Sequence, residues 1–351
     1  MKKVFLILVV LFSTTLITKC DKSEDTVIVP LRDYAEQYAA DKITIDTYIS
    51  THYYKVDTDF NVDFKKISTV NPTTPAGYAT LSSISTTDNT VFPHFEEITI
   101  NRNNVDYKVR IIKFRQGNGG VTGTKRPTQL DSVKVAYKGL TTEEPTTTTT
   151  NQFDISENPT WLNLQSVIVG WAELFPCFNS GDYGTIIGPE PTVFSNFGAG
   201  VFFIPSGLGY FASSQPNIPA YSPLIFTMKL FEVQYCDQDK DGIFSKDERP
   251  TTSTTLPDYR INPLNTDTDG DGTPDCYDID DDGDSFLTKY ETRKLSTDIG
   301  PFNASSTSRT GLKLYYPYNP IPSKEPLGIP DCTGNNTNPD RLRRHLDRTC
   351  H

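Results

Sequence analysis

The sequence predicts an α+β fold: an antiparallel sheet curled over one short helix, with a helical and strand extension before it and Asp-rich repeats after it. Three observations predict it. Strand-like segments dominate the middle of the chain. One helix, Ser166–Phe178, lies among them and carries a buried stripe of Val167, Ile168, Trp171, Leu174 and Phe175. The acidic residues concentrate in one block between Asp237 and Asp284 rather than spreading over the 351 residues.

Taken in order, the chain opens with Lys2 and Lys3, then an apolar run from Val4 to Phe12 that is too short to span a bilayer. Residues 1–20 read as an export signal. Cys20 stands where a bacterial lipoprotein is cut and lipidated, and a polar tether, Asp21–Asp25, follows it. Lys19 replaces the small residue usual before such a cysteine, so plain secretion is the alternative. Residues 21–115 form the extension. Leu31, Tyr34, Ala35, Tyr38, Ile45, Tyr48, Ile49 and His52 recur at helical spacing, as one helix or as two broken near Asp41 or Thr44. Thr69–Thr90 reads as a long loop, and Ile98–Ile100 and Tyr107–Phe114 as strands. "RQGNGGVTGTKR" is Gly-rich but lacks the strand–helix context of a phosphate loop.

Residues 116–235 form the central domain. Asp131–Tyr137 alternates as a strand with one buried face, and Thr141–Thr150 is a Thr-rich excursion. Asn151–Ile155 re-enters the fold, Leu162–Leu164 is extended, and Ser166 is positioned to cap the helix, which Pro176 ends. Val201–Ile204 and Leu224–Val233 are strands. Residues 292–351 read as an irregular, solvated tail with a small basic patch of Arg341, Arg343 and Arg344. The net charge of −11 argues against a nucleic-acid partner. Besides Cys20, five cysteines remain, so at least one is unpaired within the chain; the last four flank the acidic block or the tail and are expected to staple that region.

Five segments in order, "VKVAYKG", "QFD", "VIVGWAE", "FFIPSGLGY" and "IPAYSPLIFTMKLFEV", resemble the FKBP-type peptidyl-prolyl cis-trans isomerase family over about a third of the chain. The resemblance implies a proline-binding pocket. Tyr137 corresponds to the tyrosine after the first core strand, Phe153 and Asp154 to the Phe-Asp pair beside the pocket, and Trp161 to a wall aromatic. Val167 and Ile168 correspond to the pair whose Ile amide grips the substrate backbone, and Trp171 to the floor indole. Tyr210 corresponds to a rim tyrosine that donates to the substrate carbonyl, Ile218 to a loop contact and Phe226 to the aromatic of the last strand. Phe211 stands where the family commonly has glycine, and is expected to narrow the pocket or shift Tyr210. The implied activity needs no cofactor and acts on proline-containing polypeptides. The alternative is an envelope lipoprotein that uses the pocket only to dock a partner.

The acidic block, 236–291, reads as a metal module. In Asp237–Glu248 the first, third and fifth residues are Asp237, Asp239 and Asp241, the sixth is Gly242 and the twelfth is Glu248. Ile243 offers a backbone carbonyl, and the whole pattern matches a calcium loop. A second run offers Asp267, Asp269, Asp271, Asp275 and Asp278. A third, overlapping at Asp278, offers Asp278, Asp280, Asp282, Asp284 and Glu291, so that Asp278 bridges two ions or serves one. Packed Asp-rich loops of this kind resemble thrombospondin type 3 repeats, which implies structural Ca2+ and ordering on binding it.

Overall fold

A computed structural model describes residues 30–70, 72–118, 125–146, 150–184, 192–248, 262–294, 315–319 and 328–350. The expected signal segment and Cys20 lie outside them. Residues 30–33 belong to a separate N-terminal unit, and all the elements below belong to the unit from Tyr34 onward.

Helix α1 (Tyr34–Thr51) runs unbroken through Asp41 and Thr44. Its buried stripe is Gln37, Asp41, Ile45, Tyr48 and Ile49, so the first half of the buried face is polar. The helical spacing expected to run through His52 stops at Thr51. The chain turns at His52 into a hairpin, β1 (His52–Val56) and β2 (Val62–Lys66), that the helical spacing conceals. His52 is buried there: its Nδ1 lies 2.8 Å from the Tyr48 carbonyl, and Nε2 lies 2.9 Å from Glu144 of the Thr-rich excursion. A two-residue strand, β3 (Ala79–Thr80), completes this small sheet within the stretch read as a loop.

The main sheet is antiparallel throughout. It contains β4 (His94–Arg102), β5 (Val105–Arg115), β6 (Ser132–Thr141), β7 (Gln152–Asn163), β10 (Gly198–Ile204) and β11 (Leu224–Gln234), in the spatial order β4-β5-β10-β11-β6-β7. The expected boundary at 115/116 therefore falls inside this sheet. β7 is one long strand where two short extended pieces were expected. Strands β8 (Asp182–Tyr183) and β9 (Phe194–Ser195) pair separately.

All seven residues of β10 are buried. Phe202 and Ile204 face one side with Tyr107, Val133, Val135, Phe226 and Met228, against helix α2 (Val169–Leu174) through Trp171 and Leu174. Val201 and Phe203 face the other side with Ile112, Phe114 and Ile225, against Ile45, Tyr48 and Ile49 of α1. Strand alternation alone separates the two cores. α2 is shorter than expected. Ile168 rather than Ser166 precedes it, in an extended conformation, and Phe175–Cys177 tightens into a 3-10 turn at Pro176.

The exit of β11 is tied to the entry of β6 by a buried carboxylate. Asp131 accepts from Thr128 N (2.7 Å), Thr128 Oγ1 (2.9 Å) and Cys236 N (3.0 Å). Burial pushes this carboxyl up to about 6. Among the described residues the only disulfide, Cys332–Cys350, closes a stretch of the tail and does not staple the acidic block.

The polar half of the α1 stripe has a specific task. Asp41 Oδ2 accepts from both the backbone N–H and the hydroxyl of Ser206, each at 2.7 Å, and its Oδ1 accepts from Gln37 Nε2 at 2.6 Å. Asp41→Ala strands two buried donors of Ser206, and a loss of about 2–3 kcal/mol is expected in urea unfolding. A change below ~0.5 kcal/mol, the size of an ordinary surface substitution, would contradict this role.

Candidate functional site

A cavity of ≈410 Å3 opens between α2, β6, β7 and β11. It is lined by Tyr137, Phe153, Asp154, Leu162, Ser166, Val167, Ile168, Trp171, Tyr210 and Phe226. The floor is aromatic. The Trp171 ring stands edge-on to Tyr137 (centroids 4.9 Å apart, 85°) and to Phe226 (5.0 Å, 82°), and Phe153 stands edge-on to Phe226 (5.4 Å, 85°). Such crossed packing holds each ring face against a ring edge and fixes the box. A backbone feature of β6 makes room for it: a Cβ on Gly139 would lie 2.6 Å from the Phe153 ring and 2.9 Å from that of Phe226.

Polar groups sit at the edge of the box. Tyr137 donates its hydroxyl to Asp154 Oδ2 at 2.7 Å, while Asp154 Oδ1 accepts from Ile155 N at 2.8 Å. Burial first, and then the hydrogen bond to Asp154, hold the Tyr137 hydroxyl protonated well above its ordinary range. Burial and the Asp154 charge raise Tyr210 in the same direction, so both phenols are donors at neutral pH. The Trp171 Nε1–H is buried and has no acceptor among the described residues.

Two of the expected pocket residues stand elsewhere. Trp161 pairs with Lys134 across β6–β7 and lies on the outer face, with Lys134 Nζ 5.8 Å from its ring; the next residue, Leu162, pairs with Val133 and lines the cavity. Ile218 is buried in the core beneath the loop but does not line the cavity.

Phe211 does not narrow the pocket. It takes a left-handed conformation (φ 49°) and stacks on Tyr34 of α1, 4.1 Å away at 14°, with Tyr221 edge-on to it. Together with Asp41–Ser206 and Gln37 Nε2 to the Tyr221 carbonyl (3.3 Å), this stack fastens the loop that carries Tyr210 to the first helix. The sequence signal was present in the polar Gln37 and Asp41 on an otherwise apolar helical face. A larger crevice, ≈500 Å3, lies under the β1–β2 hairpin and is lined by Asp59, Asn61, Lys138, Glu157 and Lys229 among others. Its charged lining lacks the aromatic convergence of the α2 cavity.

The acidic block folds as three equivalent twelve-residue loops, 237–248, 267–278 and 280–291. In each, the sixth residue donates its N–H to Oδ2 of the first: Gly242 to Asp237, Gly272 to Asp267 and Ser285 to Asp280, at 3.1, 3.1 and 2.9 Å. The seventh donates to Oδ1 of the fifth: Ile243 to Asp241, Thr273 to Asp271 and Phe286 to Asp284, at 2.7, 2.7 and 2.6 Å. The third loop therefore begins at Asp280. Asp278 is the twelfth residue of the second loop, which corrects the overlap expected from sequence. At the sixth position φ is 101° and 100° in the two glycines, and Ser285 accepts 75° in the third loop.

Asp237, Asp239 and Asp241 bring one carboxylate oxygen each within 4.8 Å of one another; so do Asp267, Asp269 and Asp271, and Asp280, Asp282 and Asp284. Glu248 and Glu291, at position twelve, are buried and carry oxygens without hydrogen-bond partners among the described residues. Asp275 instead turns both oxygens to Thr268, at 2.7 Å each. Burial, reinforced by neighbouring carboxylates, pushes Asp239, Asp241, Glu248, Asp282 and Glu291 above the usual carboxylate range. Buried acids in this number need either protons or a cation, and the all-oxygen donor set suits a hard divalent ion.

Among its described residues the tail is anchored rather than solvated at the basic patch: Arg341 and Arg343 are buried. Arg341 Nε donates to the Ile329 carbonyl at 2.7 Å, and Arg344 Nε donates to the carbonyl of Glu291 at 2.5 Å, which ties the tail to the third loop.

Comparison with known proteins gave three findings. A family model described as BamM C-terminal matches residues 238–327, a span that includes all but the first residue of the three acidic loops. No curated protein sequence matches the chain. Among solved structures, a peptidyl-prolyl cis-trans isomerase from Pseudomonas syringae pv. tomato is 22% identical over 39% of this chain and 80% of its own, with a TM-score of 0.28. FkpA from Escherichia coli is 25% identical over 36% of this chain and 48% of its own, also with a TM-score of 0.28.

The packing around Gly139 yields a test of the box. Gly139→Ala forces the Phe153 and Phe226 rings to move, and a cost of ~1–3 kcal/mol is expected for such overpacking. The Trp171 indole N–H resonance is expected to shift while exchange protection in the acidic loops stays unchanged. An unmoved indole resonance would contradict the geometry.

Proposed function

We propose that the chain is a peptidyl-prolyl cis-trans isomerase acting on Xaa-Pro bonds of exported or envelope polypeptides. The observation that carries this reading is the aromatic box of Trp171, Tyr137, Phe153 and Phe226 with Tyr210 and Asp154 at its edge. Rotation about an Xaa-Pro bond faces a barrier of ~20 kcal/mol because amide resonance is lost in the twisted state. No bond is made or broken, so a site that fits the twisted proline better than the planar one is sufficient. The planar amide is the more dipolar species at oxygen, and an apolar box solvates it less well than water does. The twisted amide loses less on entering.

Trp171 and Phe226 form the floor against which the prolyl ring packs. Tyr210 is a neutral donor at the rim, available to a substrate carbonyl. Asp154 holds the Tyr137 hydroxyl in place and contributes a fixed negative charge beside the box.

Around this activity, the three acidic loops hold structural Ca2+ and take no part in the rotation. Asp237, Asp239, Asp241, the Ile243 carbonyl and Glu248 serve the first loop. Asp267, Asp269, Asp271 and Asp278 serve the second, and Asp280, Asp282, Asp284 and Glu291 the third. Lipid on Cys20 anchors the exported chain at the cell envelope, on the outer membrane or its periplasmic face.

The reading is tested by NMR exchange on Xaa-Pro peptides with the chain from Asp21 onward and calcium present. Accelerated cis–trans exchange is expected, reduced about tenfold in Tyr210→Phe, the equivalent of ~1.4 kcal/mol of transition-state stabilisation. Asp154→Asn keeps an acceptor for Tyr137 while removing the charge, and a slower rate in that variant is expected too. Peptide binding without acceleration would contradict catalysis and leave the cavity as a docking site. Cys20→Ser in the full-length chain is expected to release it from membranes, and retention there would contradict the lipid anchor.

A further inference from the structure

We infer that Asp281, from the third acidic loop, completes the cation site of the first loop, so that one ion joins two loops far apart in sequence. The inference rests on the calcium reading proposed above and adds to it a ligand outside the loop pattern. At position two the other loops carry neutral residues with local duties. Gln238 reaches the Leu130 carbonyl at 2.8 Å, and Thr268 bonds Asp275. The third loop has an acid there, and its side chain does not serve its own loop.

Asp281 is 2% exposed and Glu248 4% exposed. Asp281 Oδ1 and both oxygens of Glu248 are buried without hydrogen-bond partners among the described residues. One oxygen each from Asp239, Glu248 and Asp281 lie within 4.8 Å of one another, a closeness that three buried carboxyls keep only when protonated or around shared positive charge. One further contact holds the two loops together: Thr292, just after the short helix α3 (Thr288–Glu291), donates its hydroxyl to the Asp241 carbonyl at 2.7 Å. Within the third loop, the backbone N–H of Asp281 donates to Thr288 Oγ1 at 2.9 Å, which leaves the Asp281 side chain clear of its own loop.

Glu248 and Asp281 also line a cavity of ≈160 Å3, with Tyr318 and Arg343 from the tail on its wall. Arg343 is the rival source of positive charge. The two sources differ in their dependence on calcium.

The test is hydrogen exchange read by mass spectrometry on the chain from Asp21 onward, titrated with calcium after chelation. In the unmodified chain, calcium is expected to slow exchange across 237–248 and 280–291 together. In Asp281→Asn, protection of 237–248 is expected to need ~10-fold or more calcium, the loss commonly produced by removing even an outer partner of a metal ligand. Protection of 280–291 is expected at the original concentration, because Asp280, Asp282, Asp284 and Glu291 remain.

Protection of 237–248 at unchanged calcium in Asp281→Asn would overturn the inference alone. So would protection of 237–248 in the unmodified chain without calcium while 280–291 requires it, since Arg343 would then suffice. No calcium dependence in any loop of the unmodified chain would overturn the calcium reading as well. Should Asp281→Asn loosen all three loops, Glu248→Asp repeats the test from the other side. It is expected to speed exchange around Asp281, and unchanged protection there would overturn the inference.

Discussion

Strand β10 has no solvent-facing side. With Phe202 and Ile204 on one face and Val201 and Phe203 on the other, the sheet has to be covered twice. One cover is α2 with Trp171, which forms the floor of the aromatic box. The other is α1 with Ile45, Tyr48 and Ile49. From Tyr34 onward the extension is therefore part of the same folding unit as the box.

Because α1 covers the second face, it is also placed to reach the loop that carries the rim tyrosine. Its first turns bring Tyr34, Gln37 and Asp41 to Phe211, Tyr221 and Ser206. The unusual residue after Tyr210 is explained by this arrangement. A glycine at 211 would remove the ring that stacks on Tyr34, and the left-handed conformation of Phe211 is held by its packing. A rim group that donates to a substrate must be rigid on the scale of a hydrogen bond, and the helix supplies that rigidity from behind the site.

Much of this was readable in the sequence, for physical reasons that can be named. The period of two marks Asp131–Tyr137 as a strand, whereas the residues of the box come from the resemblance of five segments, in order, to the FKBP-type isomerases. The first acidic loop follows from carboxylates at positions one, three, five and twelve. What failed did so where a one-residue shift changes the answer. Trp161 pairs with Lys134 and its neighbour Leu162 with the buried Val133, so a displacement of one residue in the expected wall position exchanges the outer face for the cavity. Asp278, Asp280, Asp282 and Asp284 fit two loop registers equally well, and only the backbone bonds of Ser285 and Phe286 choose Asp280. The β1–β2 hairpin was hidden because its first residue, His52, continues the helical spacing of α1. The burial of Arg341 and Arg343 depends on contacts across the chain that no local pattern records.

Centrally, the aromatic box, and not the larger charged crevice under the β1–β2 hairpin, is proposed to receive the prolyl ring. The most direct measurement is the set of intermolecular NOEs between a proline-containing peptide, labelled at the prolyl ring, and the protein with calcium present. Contacts are predicted from the ring protons to Trp171 and Phe226, with the flanking carbonyl near Tyr210. Contacts to Phe60, Lys138 and Lys229 in the absence of any to Trp171 would contradict that placement.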